Sequence, residues 1–306
     1  MKNFKTIKEY CQAIHIATPK YDHFDIRSFS ENMSTVVHQM PPFRHTFYAI
    51  AIKLEGRGKA ITGHHTHFPK GTIVFFNSPF QILSWDIAPD WEGYYLMFSQ
   101  DFIAKSSLLQ SLLEMFPFLK IDKAMPFEVG KDEVEILLDI YEKIYELYHS
   151  SFADKFTFIE NYTLLLLNFI KRYFNQQVNQ NDAQQAIRSA DIKLTSRYNS
   201  LIETQFRLDV NLENPKLLHS TRYYAEFLNI HPNHLNAVVK TITGQTALQL
   251  IHQHILQLAK SQLAQTSLSV KEIAYNLHFD SPNNFSSFFK KNTHQTPIAY
   301  RKSTIL

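Results

Sequence analysis

The 306-residue chain contains a single cysteine, Cys11, and only seven glycines. One cysteine excludes an intrachain disulfide and a zinc site built from cysteines. The leucine run 164–167 lies within a helical pattern and is far too short to cross a bilayer. The first residues show no basic stretch followed by an apolar segment of the signal-peptide type. From these absences we expect a cytoplasmic protein that does not enter a membrane.

No arrangement typical of an enzyme stands out either. The sequence offers no Ser/His/Asp set, no glycine-rich phosphate loop and no cysteine nucleophile in a recognisable context. His64, His65 and His67 resemble the His-x-His pattern of metal-binding cupins, but residues 69–73 (PKGTI) supply no carboxylate at the spacing such sites need. We therefore predict no catalytic residue, no cofactor and no metal, and interpret the histidines as polar loop residues. A metal-dependent cupin enzyme fused to helices is the alternative from another functional class.

Positive charge is concentrated in the C-terminal part of the chain. Residues 190–306 hold 12 lysines and arginines against 7 aspartates and glutamates, a net charge of +5. Residues 1–189 hold 19 against 21, a net charge of −2, so the total is the +3 of the whole chain. A basic surplus on one part of a protein is what phosphate contact requires. Because the surplus is modest, we expect weak and strongly salt-dependent non-specific DNA binding.

The segment 268–301 has the pattern of two short helices on either side of a tight turn. A capping box of Ser269 and Glu272 begins the first helix, and Ser281 with Pro282 begins the second. The inward-facing apolar residues are Val270, Ile273, Ala274, Leu277, Phe285, Phe288 and Phe289. The second helix then exposes small polar side chains with lysines behind them, which is the pattern of a helix-turn-helix.

The same plan occurs about fifty residues earlier, over residues 220–240. In the first helix and turn, the matches are Tyr224 with Ile273, Ala225 with Ala274, Leu228 with Leu277 and Ile230 with Phe279. In the second helix, they are Pro232 with Pro282, Asn233 with Asn283, Leu235 with Phe285, Val238 with Phe288, Val239 with Phe289 and Lys240 with Lys290. Gly244 is expected to end the second helix of this unit with a positive φ. From Thr246 to about Leu263 the pattern predicts a linking helix of roughly 27 Å. Such a helix could place two recognition helices in successive major grooves, which lie roughly 34 Å apart.

The sequence pattern of the N-terminal half predicts short strands followed by two helices. The strand patterns are residues 47–54, 59–62, 72–77, 80–86 and 93–98, separated by turns rich in glycine and proline. They suggest a small antiparallel barrel or sandwich. Helical patterns follow at 131–149 and 154–174, and the second is apolar on more than one face, which suits either a partner subunit or extra core. Residues 175–191, rich in Gln and Asn, are the predicted interdomain linker.

These residues resemble the AraC/XylS family of bacterial transcription regulators. The resemblance covers about Ile192–Arg301 and rests on S-x-x-E-I-A from Ser269, F-S-x-x-F-K-K over 285–291 and T-P-x-x-Y-R over 296–301. His278 and His294 stand where the family usually has glycine. The N-terminal half is more loosely similar to the family's cupin-type barrel, through an apolar strand ending in Gly-x-Gly, the segment from Pro79 to Trp85, and E-G-Y over 92–94.

The resemblance implies a multidomain α+β fold. A cupin-like sensor and dimerisation domain would span residues 1–174, with an N-terminal antiparallel β-barrel and a helical hairpin over 131–174. After the linker 175–191, an all-α DNA-binding domain over 192–306 would carry two helix-turn-helix units joined by a linker helix.

The implied function is sequence-specific transcription regulation and not catalysis. The implied partners are double-stranded operator DNA, a small-molecule effector in the barrel, a second copy bound through 131–174, and RNA polymerase if the protein is an activator. An effector-independent regulator, whose barrel serves only assembly, is the alternative within the same class.

The family's base-contacting positions fall on the outer faces of the two recognition helices. They are Asn233, His234, Asn236, Ala237, Asn283, Asn284, Ser286 and Ser287. Asparagine can form two hydrogen bonds with adenine N6 and N7, so contacts to A·T pairs are expected. A helix cap or a solvated position is the alternative for each, above all for Asn233 and Asn283, which directly follow a proline.

Two further sets complete the predicted sites. The phosphate contacts, with a merely solvated position as the alternative, are Arg222, Lys240, Lys290, Lys291 and Arg301. The effector-pocket residues, with an ordinary core position as the commoner alternative, are Tyr48, Trp85 and Tyr95.

Overall fold

The N-terminal part of the chain folds into two β-sheets. The computed structural model describes residues 1–62, 71–109, 112–124, 126–178, 190–207 and 215–304. These residues form two compact units, an N-terminal one that contains the sheets and a helical C-terminal one. The α+β fold class predicted from the sequence is confirmed, with a sheet-rich N-terminal region and a helical C-terminal domain, and the cupin-like form of the predicted barrel stays a prediction.

The strands pair in two layers. They are β1 (Lys2–Phe4), β2 (Phe24–Ser28), β3 (Gln39–His45), β4 (Tyr48–Lys53), β5 (Gly58–Thr62), β6 (Ile73–Asn77), β7 (Leu83–Ile87), β8 (Gly93–Phe98) and β9 (Phe127–Glu128). One sheet has the order β1-β3-β7-β5 and the other the order β2-β8-β4-β6-β9. Apart from the parallel pair β1 and β3, the strands run antiparallel.

The sequence patterns located β4 to β8 but missed the strands before residue 47. Strand β3 contains Pro41 and Pro42, which lack the N–H that a strand donates to its neighbour. The structure accommodates both prolines where the register between β3 and β7 shifts, between Met40 and Phe43. A β-bulge of this kind leaves the extra residues unpaired, so prolines there cost the ladder little.

Helices surround the sheets and build the whole C-terminal unit. They are α1 (Ile7–Ala13), α2 (Gln100–Lys105), α3 (Leu112–Met115), α4 (Lys131–His149), α5 (Lys155–Val178), α6 (Ala190–Arg207), α7 (Thr221–Phe227), α8 (Pro232–Thr243), α9 (Ala247–Gln265), α10 (Val270–Asn276), α11 (Pro282–Thr293) and α12 (Pro297–Thr304). Short 3₁₀ turns occur at Pro117–Leu119 and Pro215–His219. Among the described residues, no helix combines the length and apolarity needed to span a membrane.

Side-chain alternation along β4 separates two cores in the N-terminal unit. Tyr48, Ile50 and Ile52 point to one face, where they join the α4–α5 hairpin in a large apolar cluster. Ala51 points to the other face, into the layer between the two sheets. Because the side-chain period of a strand is two, neighbouring residues of β4 belong to different cores.

Helix α4 is tied to the sheet by a buried polar cluster. The Tyr148 hydroxyl donates to Oδ1 of Asp25 at 2.6 Å, and Nε of Arg27 donates to Oδ2 at 2.7 Å. Asp25 and Arg27 are almost fully buried, and burial raises the pKa of the Asp25 carboxyl against the opposing effect of Arg27. Satisfying both carboxylate oxygens is what makes a buried acid tolerable, so this cluster fixes α4 on β2.

The predicted linker 175–191 falls mostly outside the described residues. Helix α5 extends to Val178 and α6 begins at Ala190, so residues 175–178 are helical. The domain boundaries at 174 and 192 stay predictions. The described residues also leave out His64, His65 and His67. That these histidines bind no metal stays a prediction.

Lowering the pH from 7 to 5 is expected to cost the N-terminal unit about 2 kcal/mol of unfolding free energy through His45 alone. Burial lowers the pKa of His45 to about 3, whereas in the unfolded chain it titrates near 6.5. Below about pH 6.5 the unfolded state therefore binds a proton that the native state does not bind. The unfolding free energy falls as the pH is lowered through this range.

Urea unfolding at the two pH values would measure this loss. Trp85 and Trp91, the chain's two tryptophans, both lie in the N-terminal unit, so their fluorescence reports on it alone. A His45→Gln variant should lose about 2 kcal/mol less over the same pH range. An identical pH dependence in both proteins would contradict the assignment.

Candidate functional site

The C-terminal unit contains two helix-turn-helix pairs, α7–α8 and α10–α11, whose turns have the same geometry. Asn229 in the first turn and His278 in the second adopt left-handed φ values of 54° and 62°. In each turn the next residue donates its N–H to the carbonyl five residues earlier, at 3.0 Å in the first pair and 2.9 Å in the second. The pairs are thus duplicates in backbone hydrogen bonding as well as in sequence.

The duplication continues past the second helix of each pair. Helix α8 ends at Gly244 with φ 75°, and α11 ends at His294 with φ 61°. Both cap residues donate their N–H to the carbonyl four residues earlier, at 2.9 Å and 2.8 Å. The Thr243 hydroxyl then donates to the carbonyls of Val239 and Gln245. The Thr293 hydroxyl donates in the same way to the carbonyls of Phe289 and Gln295.

The linking helix α9 lies between the pairs, as predicted. It is 19 residues long, which corresponds to roughly 28 Å at 1.5 Å per residue. Its predicted capping box is present: the Thr246 side chain accepts from the Gln249 N–H at 3.2 Å, and the Gln249 side chain accepts from the Thr246 N–H at 2.8 Å. Ile251, Ile255 and Ala259 of α9 are fully buried.

The second helix of each pair exposes its predicted polar residues. Asn233, His234, Ala237, Asn283, Asn284 and Ser287 are exposed, and Asn236 and Ser286 are half-buried. The caps of the two helices are other side chains: His231 accepts from the Asn233 N–H at 3.2 Å and Ser281 accepts from the Asn284 N–H at 3.2 Å. The amides of Asn233 and Asn283 are therefore not used as caps, and within the described residues they form no hydrogen bond.

Three predicted phosphate contacts are exposed cations near these faces. Lys240, Lys290 and Lys291 are exposed and form no ion pair within the described residues. Lys290 lies in the last turn of α11 together with Lys291. Arg222 is also exposed, but its Nε is 2.9 Å from a carboxylate oxygen of Glu226 one helical turn away. Exposed pairs of this kind contribute little, so Arg222 can exchange its partner for a phosphate at small cost.

The N-terminal unit holds a cavity of about 100 Å³ between its two sheets. Of the predicted effector-pocket residues, Trp85 and Tyr95 line it. Tyr48 does not, and that prediction is wrong. Its position on β4 turns it to the opposite face, where its ring stacks on Phe98 at 5.3 Å between ring centroids. The apolar run 47–54 shows that β4 is buried on both faces but does not show which face meets a cavity.

The residues that create this space were not among those predicted from the sequence. Ala49, Ala51 and Ala60 line the cavity, where larger side chains would fill it. The alternation of small and large residues in Tyr48–Lys53 (YAIAIK) was the available signal. His45 and Asn77 also line the cavity, and nothing in their sequence context distinguishes them.

Comparison with known proteins agrees with the duplicated helix pairs. The profile of a family described as a helix-turn-helix domain matches residues 224–303. Residues 224–303 are an AraC-type helix-turn-helix domain.

Two relatives of this chain are described as HTH-type transcriptional regulators. The chain is 25% identical over 200 residues to the uncharacterized HTH-type transcriptional regulator YtdP of Bacillus subtilis, covering 65% of this chain and 22% of that protein. It is 30% identical over 114 residues to the HTH-type transcriptional regulator GlxA of Rhizobium meliloti, covering 37% of this chain and 34% of that protein. The chain thus matches 22% of the length of one relative and 34% of the other.

One similar solved structure is the C-terminal domain of AraT, a response regulator from Geobacillus stearothermophilus. It is 26% identical, covers 39% of this chain and 91% of that chain, and has a TM-score of 0.34.

Within the AraC-type domain, Arg301 has a role other than the predicted phosphate contact. Its Nε donates to the Leu263 carbonyl at 3.1 Å and one terminal nitrogen donates to the Leu268 carbonyl at 2.5 Å. The guanidinium is half-buried and joins the end of α9 to the loop before α10. Carbonyls near a helix C-terminus lack helical N–H partners, so a cation there stabilises the fold.

Asn236 is likewise engaged inside the AraC-type domain. Its Oδ1 accepts from the Ala247 N–H at 3.1 Å, at the start of α9. The equivalent residues of the second unit, fifty positions on, are Ser286 and Pro297, and proline has no N–H to satisfy. The first unit therefore uses this position to satisfy a backbone donor, which leaves Ser286 freer than Asn236 to contact a base.

Replacing His294 by glycine is expected to raise the unfolding free energy of the AraC-type domain by about 0.5–1 kcal/mol. The left-handed φ of 61° is costly for a residue with a Cβ and free for glycine. The greater freedom of glycine in the unfolded chain offsets part of the gain.

Hydrogen–deuterium exchange over α11 and α12 would show the change as slower exchange. Gly244→Ala is the matched control at the equivalent cap, and it should destabilise by about 1 kcal/mol. Faster exchange in the His294→Gly variant would show that the imidazole makes a contribution that outweighs its backbone strain.

Proposed function

We propose that this protein is a sequence-specific DNA-binding transcription regulator that reads two adjacent segments of the major groove. The observation that carries the proposal is the duplicated helix-turn-helix, in which α8 and α11 have the same turn geometry, left-handed C-caps and exposed polar faces. In helix-turn-helix proteins the second helix enters the major groove and the half-sites lie about one helical turn apart, roughly 34 Å. Helix α9 is of comparable length.

The chemistry of the exposed faces supports base and phosphate contacts. The free amides of Asn233 and Asn283 present a donor and an acceptor that match adenine N6 and N7. Ser286, Ser287, Asn284 and His234 add groups that can accept or donate. The exposed lysines near the ends of α8 and α11 supply the charge that positions a protein on the phosphate backbone. Because chromosomal DNA is the proposed partner, we place the protein in the cytoplasm.

The N-terminal unit is proposed to bind a small effector and to mediate homodimerisation. The cavity between the sheets supports the first role. Exposed apolar side chains on the α4–α5 hairpin support the second: Ile136, Phe158 and Leu165 are 39%, 47% and 43% exposed. Phe158 and Leu165 are seven residues apart and so share one face of α5. A second copy would bury them, and contact with RNA polymerase would follow if the protein is an activator.

Capture of fragmented genomic DNA from the source organism, followed by sequencing, tests the proposal. Full-length protein should enrich discrete sites that contain two half-sites about one helical turn apart. An Asn233→Ala/Asn283→Ala double variant, which leaves caps and core unchanged, is the matched control and should lose this enrichment. Equal recovery of all fragments by both proteins would reject sequence-specific regulation.

A further inference from the structure

The cavity between the sheets is apolar and carries no ionic charge among the residues that the structure describes. Its walls are mainly aromatic and aliphatic side chains with a few uncharged polar ones, and no Asp, Glu, Lys or Arg belongs to the described lining. Moving an ion from water into such a space without a counter-charge costs several kcal/mol. The lining therefore disfavours a charged ligand.

The ring nitrogens of Trp85 and Trp91 and the hydroxyl oxygen of Tyr95 already have hydrogen-bond partners. Nε1 of Trp85 donates to the Val37 carbonyl at 2.7 Å, and Nε1 of Trp91 donates to the Arg57 carbonyl at 3.0 Å. The Tyr95 hydroxyl accepts from Asn32 at 3.1 Å. Their remaining ring surfaces offer contacts to an apolar or aromatic molecule.

Two polar atoms of the lining have no partner within the described part of the chain. They are Nδ1 of His45 and Oδ1 of Asn77, both fully enclosed. His45 is 1% exposed, and its ring stacks on Phe47 with centroids 4.1 Å apart and planes 8° apart. An unpaired buried polar atom is costly, and native proteins seldom leave one without a partner or a role. The Asn77 oxygen can only accept, so its missing partner is a hydrogen-bond donor.

The volume limits the ligand to about one ring. A cavity of about 150 Å³ lined by Leu, Ile and Phe holds benzene. The cavity here measures about 100 Å³ by the same kind of measure. Because this space is smaller than that benzene-binding cavity, a single ring with one small substituent is the largest ligand that we expect, and the walls must move outward to admit it.

We propose that the cavity binds an uncharged single-ring aromatic molecule that carries a hydroxyl or N–H donor. The ring packs against the aromatic walls, and the donor satisfies Oδ1 of Asn77 while Nδ1 of His45 bonds the same substituent. This inference rests on the proposed assignment of the cavity as the effector site.

Isothermal titration of the full-length protein with four probes tests the inference. Phenol has the ring and the donor, toluene lacks the donor, benzoate adds a charge, and arabinose is polar throughout. Phenol should bind at least about tenfold more tightly than each of the others, since an unmet buried hydrogen bond is worth a factor of about ten or more. Asn77→Leu should weaken phenol about tenfold and leave toluene unchanged.

Two variants locate the site. Ala60→Leu fills the cavity and should abolish phenol binding, whereas Tyr48→Phe changes the opposite face of β4 and should not. Tryptophan fluorescence checks that both variants fold. Tighter binding of benzoate or arabinose would overturn the ligand class and leave the cavity as an effector site. Binding of no probe would overturn both this inference and the effector assignment, while the genomic DNA capture tests the DNA-binding function independently.

Discussion

Replacing Asn233 and Asn283 together by alanine is expected to weaken binding to specific sites by about 2–6 kcal/mol, or roughly thirtyfold to twenty-thousandfold. Each amide, free of intramolecular hydrogen bonds within the described residues, can make a bidentate contact to adenine that is worth about 1–3 kcal/mol of discrimination. The residues occupy different recognition helices with no shared partner, so their effects should add. Binding to random duplexes should change little.

Fluorescence anisotropy on a captured site and on a random duplex of equal length would measure both affinities at one salt concentration. Lys290→Ala is the contrasting variant: it should weaken both duplexes alike and lower the slope of log K against log salt by about 1. Asn236→Ala is the second comparison, because its amide oxygen caps α9 and its loss should disturb the fold as well. Equal losses on both duplexes for the Asn233/Asn283 variant would remove these residues from base recognition.

Replacing Arg301 by alanine is expected to lower the unfolding free energy of the AraC-type domain by about 2–3 kcal/mol. The change removes two charge-assisted hydrogen bonds and leaves the carbonyls of Leu263 and Leu268 without this donor. Leaving a partly buried acceptor unpaired costs its desolvation in addition to the lost bond. Arg301→Lys keeps the charge but not the fork that reaches two carbonyls, so it should be intermediate.

Hydrogen–deuterium exchange measured peptide by peptide would locate the effect. Protection should fall in the peptides around 263–268, at the end of α9 and the loop after it. Lys302→Ala, the adjacent exposed residue, is the matched control and should leave protection unchanged. Unchanged protection in Arg301→Ala, together with weaker binding to all DNA, would restore the original interpretation of Arg301 as a phosphate contact.

The helix-turn-helix units were predictable because their signals are local. The capping boxes at Ser269 and Thr246, the prolines that begin α8 and α11, and the cap at Gly244 act within one or two helical turns. The equivalent residues recur about fifty positions apart, so each unit supported the interpretation of the other. His278 and His294 adopt the left-handed conformation that glycine usually supplies, which histidine tolerates at a cost.

The roles of individual side chains depend on neighbours that are distant in sequence. Nothing near Arg301 indicates that it reaches Leu263, 38 residues away. Asn236 likewise bonds a residue 11 positions on, because packing of α8 against α9 brings them together. Sequence position shows that a side chain lies on an outer helical face but not which donors and acceptors surround it.

The sequence by itself therefore determined the fold class, the duplicated helix pairs and the faces that these pairs expose, because helical periodicity and capping are local. Only the tertiary structure decided that Tyr48 faces away from the cavity, that three alanines open that cavity, and that His45 and Asn77 both line it. Those facts depend on how two sheets pack and which face of β4 lies between them, and strand alternation alone leaves that choice open.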